Sequence, residues 1–256
     1  MNRCSKFIGM SVMCLQALSP AAADVEILRW QRVGGSEYLG TADFDKLLSV
    51  LVAGIDIAVS VKAMPAQRMR RAIITGDSVC LAPVSLPVFF RKNPNAQKED
   101  FHASSPIEMV SGHIFSRPGE DPAHSLADLA GKSLAYWWRM PVEDELQALG
   151  IKLEYLPSEK EAIQLMMAGR VDFTWGWRPD SLAQFTKITG RPANFDPDFS
   201  MVQLAMQIVC KKTAETRNLL KHVDRQLAAM RGDGRLKKIL GPHARVYGLD
   251  VPFPAQ

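Results

Sequence analysis

The stretch Thr174-Trp175-Gly176-Trp177-Arg178-Pro179-Asp180 sets two indoles two positions apart and follows them at once with a guanidinium. A second segment, Trp137-Trp138-Arg139-Met140-Pro141, repeats the combination. An indole buries a large apolar surface and stacks on a ring or a cation, while an arginine offers a planar fork to a carboxylate or phosphate. Such a set suits a small ligand with an anionic or strongly polar end and a flat or apolar body. The candidate contacts are Trp30, Trp138, Arg139, Trp177 and Arg178. Covalent chemistry is not indicated. The five histidines, His102, His113, His124, His222 and His243, show no metal-ligand spacing with one another or with the cysteines, no Gly-x-Ser-x-Gly elbow occurs, and no glycine-rich loop follows a strand. The expectation is therefore no cofactor, no metal and no catalytic residues, with His113 structural.

The elements that must hold these residues alternate. Strands are expected at Ile27 to Trp30, Ile55 to Val61, Ser78 to Val84, Lys132 to Trp137, Lys152 to Tyr155 and Val171 to Trp175. Helices are expected at Asp43 to Ala53, Ala66 to Thr75 and Val142 to Leu149, and at Ser158 to Ala168, capped by Ser158 and closed by Gly169; Ser125 and Asp128 frame a further helical turn. All five tryptophans then fall at or just beyond a strand's C-terminal end, the edge where ligands bind in open α/β sheets. Strand alternation puts Trp175 and Trp177 on one face, Trp175 buried under a helix and Trp177 beyond the strand. Arg139 falls at a helix start, where the dipole favours an anion. For Arg139 and Arg178 the competing role is an ion pair with Glu143 or Asp180. "RRAIITGDSVCLA" and "IQLMMAGRVDFTW" share a helix–glycine–strand plan, as one α/β unit in each half would.

Of the 256 residues, 47% are hydrophobic and 23% charged, a globular composition. The net charge of +4 includes no basic block that calls for nucleic acid, and Arg68-Met69-Arg70-Arg71 reads as a solvated helix face. Arg3 and Lys6 precede an uncharged run to Leu18, then small residues to Ala23, and the first acid is Asp24. Residues 1–23 thus read as a cleaved secretory signal peptide and place the protein in the periplasm. The mature chain holds 29 bases and 27 acids, a net +2, and two cysteines, Cys80 and Cys210. An oxidising compartment allows them to pair, and two buried free thiols are the equal alternative.

"SLADLAGKSLAYWW", "IKLEYLPSEKEAIQLMMAGRVDF" and "VCKKTAETRNLLKHVDRQLAAMRGDGRLKKIL" resemble the second lobe and closing helices of extracellular solute-binding proteins of family three, the polar amino-acid type that serves ABC importers. "MPAQRMRRAIITGDSVCLAPVS" is similar to a first-lobe segment of a divergent branch of that family. The resemblance implies an α/β, two-lobed, periplasmic binding protein-like type II fold, with mixed sheets and a two-strand hinge. Residues 24–111 and 204–256 would form the first lobe and 112–203 the second, with crossovers near Glu108 to Ser116 and Phe199 to Cys210. It further implies a monomer that closes on a small molecule and delivers it to an inner-membrane permease. A sensor or accessory without transport, and an enzyme on this fold, are the other functions left open. The family's ammonium-binding aspartate matches Trp177 here, and "KNPNAQKEDFHASSP" lacks the family's carboxylate-binding arginine, with Arg91 just before it. A standard amino acid is therefore not the expected ligand.

Overall fold

The structure, a computed structural model, describes residues 24–30, 44–137 and 143–253. The expected signal peptide lies outside the described residues, as do Trp138 and Arg139 and the side chain of Trp30. The strands are β1 (Val25–Trp30), β2 (Val59–Met64), β3 (Val79–Val84), β4 (Phe101–Ala103), β5 (Glu108–Phe115), β6 (Ser133–Tyr136), β7 (Lys152–Tyr155), β8 (Phe173–Arg178), β9 (Val202–Lys211) and β10 (Arg245–Val246). The helices are α1 (Phe44–Leu51), α2 (Ala66–Thr75), α3 (Leu86–Lys92), α4 (Glu143–Ala148), α5 (Glu159–Met167), α6 (Asp180–Thr189), α7 (Ala214–Gly232) and α8 (Arg235–Leu240).

The strands follow one path, β2-β1-β3-β9-β5-β8-β6-β7, with β10 on β5 and β4 on β9. Two parallel groups, β2-β1-β3 and β8-β6-β7, are joined by β9 and β5, which run antiparallel to their neighbours. Strand β9 is continuous across both groups. Its first half pairs with β5, Val202 opposite Gly112 through Met206 opposite Glu108, and its second half pairs with β3 and β4. Every residue of β3 and of β5 is buried; the apolar run of β3 fits that position, whereas β5 also buries Glu108, Ser111 and His113. Pro83 has no N–H to give the ladder, and the register shifts between Leu81 and Val84.

Helices cover both faces of both groups. In the first, α1, α7 and α8 bury Leu47, Leu48, Leu51, Leu219, Leu220, Val223, Leu227 and Leu240 on one face. Helices α2 and α3 bring Met69, Ile73 and Phe89 to the other. In the second, one face packs Leu146 with Leu134, Phe173 and Trp175, and the opposite face packs α5 and α6 on Phe115 and Ala135. Caps fix where these helices begin. Ser158 accepts the Glu161 N–H at the start of α5, Thr213 and Thr216 cap α7 reciprocally, and Ser125 with Asp128 closes the expected helical turn.

Several expected strand limits move: β1 starts at Val25 rather than Ile27, β2 ends at Met64 rather than Val61, and β3 and β6 change by a residue at their ends. Residues 52–58 turn through Gly54 at φ 75°, so β2 starts at Val59 rather than Ile55. At β8 the shift matters more. The Asp172 carboxylate accepts hydrogen bonds from the Ser133 N–H and Oγ at 2.8 and 2.7 Å, holding residue 172 at the start of β6, and the β8 ladder runs on through Arg178. Trp177 and Arg178 therefore lie inside the strand, and alternation turns them to opposite faces.

Candidate functional site

Strands β1 and β3 of one group and β6 and β8 of the other end on the C-terminal edge that serves ligands in open α/β sheets. At the end of β8, Trp175 is fully buried, and its ring crosses the neighbouring strand where Gly112 has no side chain. A Cβ at position 112 would lie 1.9 Å from the indole. Trp177 pairs with Gly112, is half-buried, and meets Trp175 edge to face at 5.3 Å between centroids. The Nε1 atoms of both indoles are buried without a hydrogen-bond partner. At the end of β3 the hydroxyl of buried Ser85 is likewise unpartnered. A buried donor without an acceptor costs about 1–3 kcal/mol, so these groups are where a bound molecule would gain most.

Of the expected contacts only Trp177 and Arg178 have described side chains, and they fall on opposite faces of β8. Arg178 pairs with Ser111 on the other face of β8, turned toward Arg245 and Asp250 of the C-terminal segment. Burial, with the Arg245 charge beside it, lowers its pKa; its Nε has no partner, and it makes no ion pair among the described residues. Trp30 ends β1. Cys80 and Cys210 face each other in the β3–β9 ladder and are joined as a disulfide, with Cα atoms 4.0 Å apart.

Residues the sequence did not single out complete the edge. The Ser181 hydroxyl accepts the Trp177 N–H at 2.7 Å and donates to the Glu159 carboxylate, so the end of β8 is tied to the starts of α5 and α6. Burial raises the Glu159 pKa to about 7, the Ser181 hydrogen bond opposes the rise, and the Asp180 charge adds to it. Glu108, on the hinge strand β5, is fully buried with Oε2 unpartnered. Burial and the Asp180 charge push its pKa to about 8 against the pull of Lys237. Glu108 is the one carboxylate in "PIEMVSGHIF", a segment without Lys or Arg to pair with it, and that was a visible signal. Glu159 had none, because an acid in a first helical turn reads as an ordinary surface residue.

His113 is structural. Its Nδ1–H donates to the Phe199 carbonyl and its Nε2 accepts from Ser111, both at 2.8 Å, and burial holds its pKa below the ordinary histidine range. Among the described residues no group of three or more His, Cys, Asp or Glu side chains could hold a metal ion, and no helix is long and apolar enough to cross a membrane.

Two layers of helices around parallel groups joined by two antiparallel strands is the arrangement found in solved structures over most of this chain. The chain has the type II periplasmic-binding-protein fold. The L-cystine solute receptor of Neisseria gonorrhoeae, in its unliganded open conformation, covers 87% of this chain and 95% of its own, with a TM-score of 0.62 at 15% identity. A histidine kinase sensor domain described as similar to periplasmic binding proteins covers 85% and 94%, with a TM-score of 0.56 at 18% identity. An ancestral amino acid-binding protein described as a precursor of cyclohexadienyl dehydratase covers 84% and 92%, with a TM-score of 0.55 at 16% identity. No protein-family model matches the sequence, and no curated protein sequence matches it. At these identities the type II periplasmic-binding-protein fold is what is shared.

Proposed function

We propose that this chain is an exported, periplasmic solute-binding protein that closes two lobes on a small polar or anionic ligand and carries out no chemistry on it. The observation that supports this most directly is the pairing of a hinge built from β5 and β9 with buried, unpartnered polar atoms at strand ends on either side of it, Ser85 Oγ and Trp177 Nε1. Closure would bring a ligand's acceptors to these donors and dehydrate them together. Trp30, Trp138, Arg139 and Trp177 form the wall in this reading, with Arg139 supplying the charge for an anionic end. Arg178 lies on the other face of β8, near the C-terminal segment, and would meet a ligand only from that side. The lobes are residues 24–111 with 204–256, and 112–203, and delivery to an ABC permease is the transport step.

The amino-acid binders with this fold make a compact zwitterion a reference ligand, but Trp177 cannot neutralise an ammonium group. A thermal-shift screen against organic acids, amines, sugars and peptides identifies the class. With the hit in hand, Trp177→Ala and Arg139→Ala should each weaken binding at least tenfold, about 1.4 kcal/mol. Normal affinity in both variants, once stability is matched, removes the reading. The sensor domain keeps a second function in view, binding without transport. Ligand uptake that survives deletion of the gene, despite tight binding by the purified protein, would favour it.

A further inference from the structure

Helices α2 and α3 hold five bases, Arg68, Arg70, Arg71, Arg91 and Lys92, and no acid. Both helices pack on the same face of the sheet, through Met69 and Ile73 on α2 and Phe89 on α3. Arg68, Arg71, Arg91 and Lys92 are exposed, and none of the five makes an ion pair or side-chain hydrogen bond among the described residues. Their neighbours differ. Lys62 is paired with Glu26, Arg29 with Asp45, and Lys211 with Asp77. Ile74, 41% exposed, stands one turn beyond Arg70 and Arg71 on the outer face of α2. Over the whole molecule, residues 24–111 balance 10 bases against 10 acids, 204–256 hold 10 and 4, and 112–203 hold 9 and 13, a net −4.

From this we infer that the α2–α3 face docks the protein on an anionic phospholipid surface. The bases spread over two helices of one layer instead of lining a pocket, which suits many weak headgroup contacts better than one bound anion. Each Lys or Arg near an anionic bilayer contributes about 1 kcal/mol, and the effect decays within a Debye length. Ile74 among arginines follows the pattern of an interfacial helix, an apolar side chain at headgroup depth inside a ring of charge. The acidic half would be repelled by the same surface. The molecule would therefore lie with α2 and α3 down and with α1, α7 and α8 on the side away from the surface. The inference is independent of what the strand ends bind.

The test uses protein expressed from the full chain, purified without detergent, and sedimented with phosphatidylcholine vesicles with and without phosphatidylglycerol. Wild type should bind only the anionic vesicles, and less as salt rises. A variant with Arg68→Gln, Arg71→Gln, Arg91→Gln and Lys92→Gln should lose at least about tenfold in affinity, because several charge contacts go together. A charge-matched control on the opposite face, Arg217→Gln, Lys221→Gln, Arg225→Gln and Lys238→Gln, should stay within about threefold of wild type. Equal losses in the two variants would leave only net charge and overturn the assignment to this face. So would wild type that ignores anionic vesicles at low salt, a result that needs no variant to fold. Binding to soluble polyglutamate without binding to vesicles would give the face to an acidic protein and end the lipid reading.

Discussion

The α2–β3 unit of the first half and the α5–β8 unit of the second share a helix–glycine–strand plan and reach it by different physics. Gly76 sits in extended backbone at φ −87°, and its lack of a side chain answers to space, since a Cβ would lie 2.6 Å from Val79 Cγ2. Gly169 has φ 70° with nothing near its missing Cβ, and answers to handedness, the left-handed residue that ends a helix. The strands that follow differ in the same spirit. Strand β3 is pinned by apolar burial and a disulfide to β9, whereas β8 is pinned by Asp172 at its start and by Ser181 with Glu159 at its end. Strand β3 is held by contacts indifferent to pH and β8 by ionisable groups.

The covalent side of that contrast carries the largest expected effect. Cys80 and Cys210 are 130 residues apart, and both are fully buried. Closing so long a loop restricts the unfolded chain by about 4–5 kcal/mol on loop-entropy grounds. The double variant Cys80→Ala/Cys210→Ala should lose a stability of that order in urea unfolding. Two titratable thiols in unfolded, non-reduced wild type would remove the bond, and with it the contrast between β3 and β8.

Glu108 supplies the next effect, with a definite sign. Its folded pKa of about 8 lies above its ordinary carboxylate value, so the folded state holds a proton that the unfolded chain has released. The stability this contributes is complete at pH below the ordinary value and is lost as pH rises through about 8. Each pH unit in between removes up to about 1.4 kcal/mol, so unfolding at pH 5 and pH 7 should differ by roughly 2–3 kcal/mol in favour of pH 5. Glu108→Gln, which keeps the shape of the protonated acid, should remove that part of the slope and leave the part that Glu159 supplies. An unchanged slope would move the proton to Glu159, whose pKa of about 7 acts in the same direction.

Much of this architecture was legible in the sequence, and what was not has a local cause. The limits of α2 and β7, the Ser158 cap and the Ser125–Asp128 turn follow from side chains acting within a few residues, so composition and spacing expose them. The end of β8 does not. Its extension to Arg178 depends on pairing with Ser111 and Gly112, about 65 residues away in the chain, and on an aspartate reaching Ser133 across the sheet. That one long-range fact separates Trp177 from Arg178, a division no local pattern announces. Glu159 and Ser181 look like ordinary first-turn residues until α5 and α6 bring them together.

The smallest expected effect tests the polar side of the contrast at Asp172. Its carboxylate accepts the Ser133 N–H at 2.8 Å and the Ser133 hydroxyl at 2.7 Å, while its own N–H donates to Ser133 Oγ at 2.9 Å, a closed loop of three bonds between β6 and the lead-in to β8. Asp172→Asn keeps the size but offers a neutral oxygen and an amide that Ser133 cannot fully satisfy. Charge-assisted bonds are about twice as strong as neutral ones, and the site is partly solvated, so a loss of about 1 kcal/mol is expected. The pH dependence has the opposite sign to that of Glu108. Hydrogen bonds from Ser133 hold the Asp172 pKa below its ordinary value, so its contribution is complete above that value and is lost as pH falls through the folded one. Wild type should then be most stable in mildly acidic solution, falling on the alkaline side through Glu108 and on the strongly acidic side through Asp172. Urea midpoints of Asp172→Asn should approach wild type as the solution becomes strongly acidic and separate from it above pH 5. A difference that stays constant across that range would mean the loop of bonds is held by shape and not by charge.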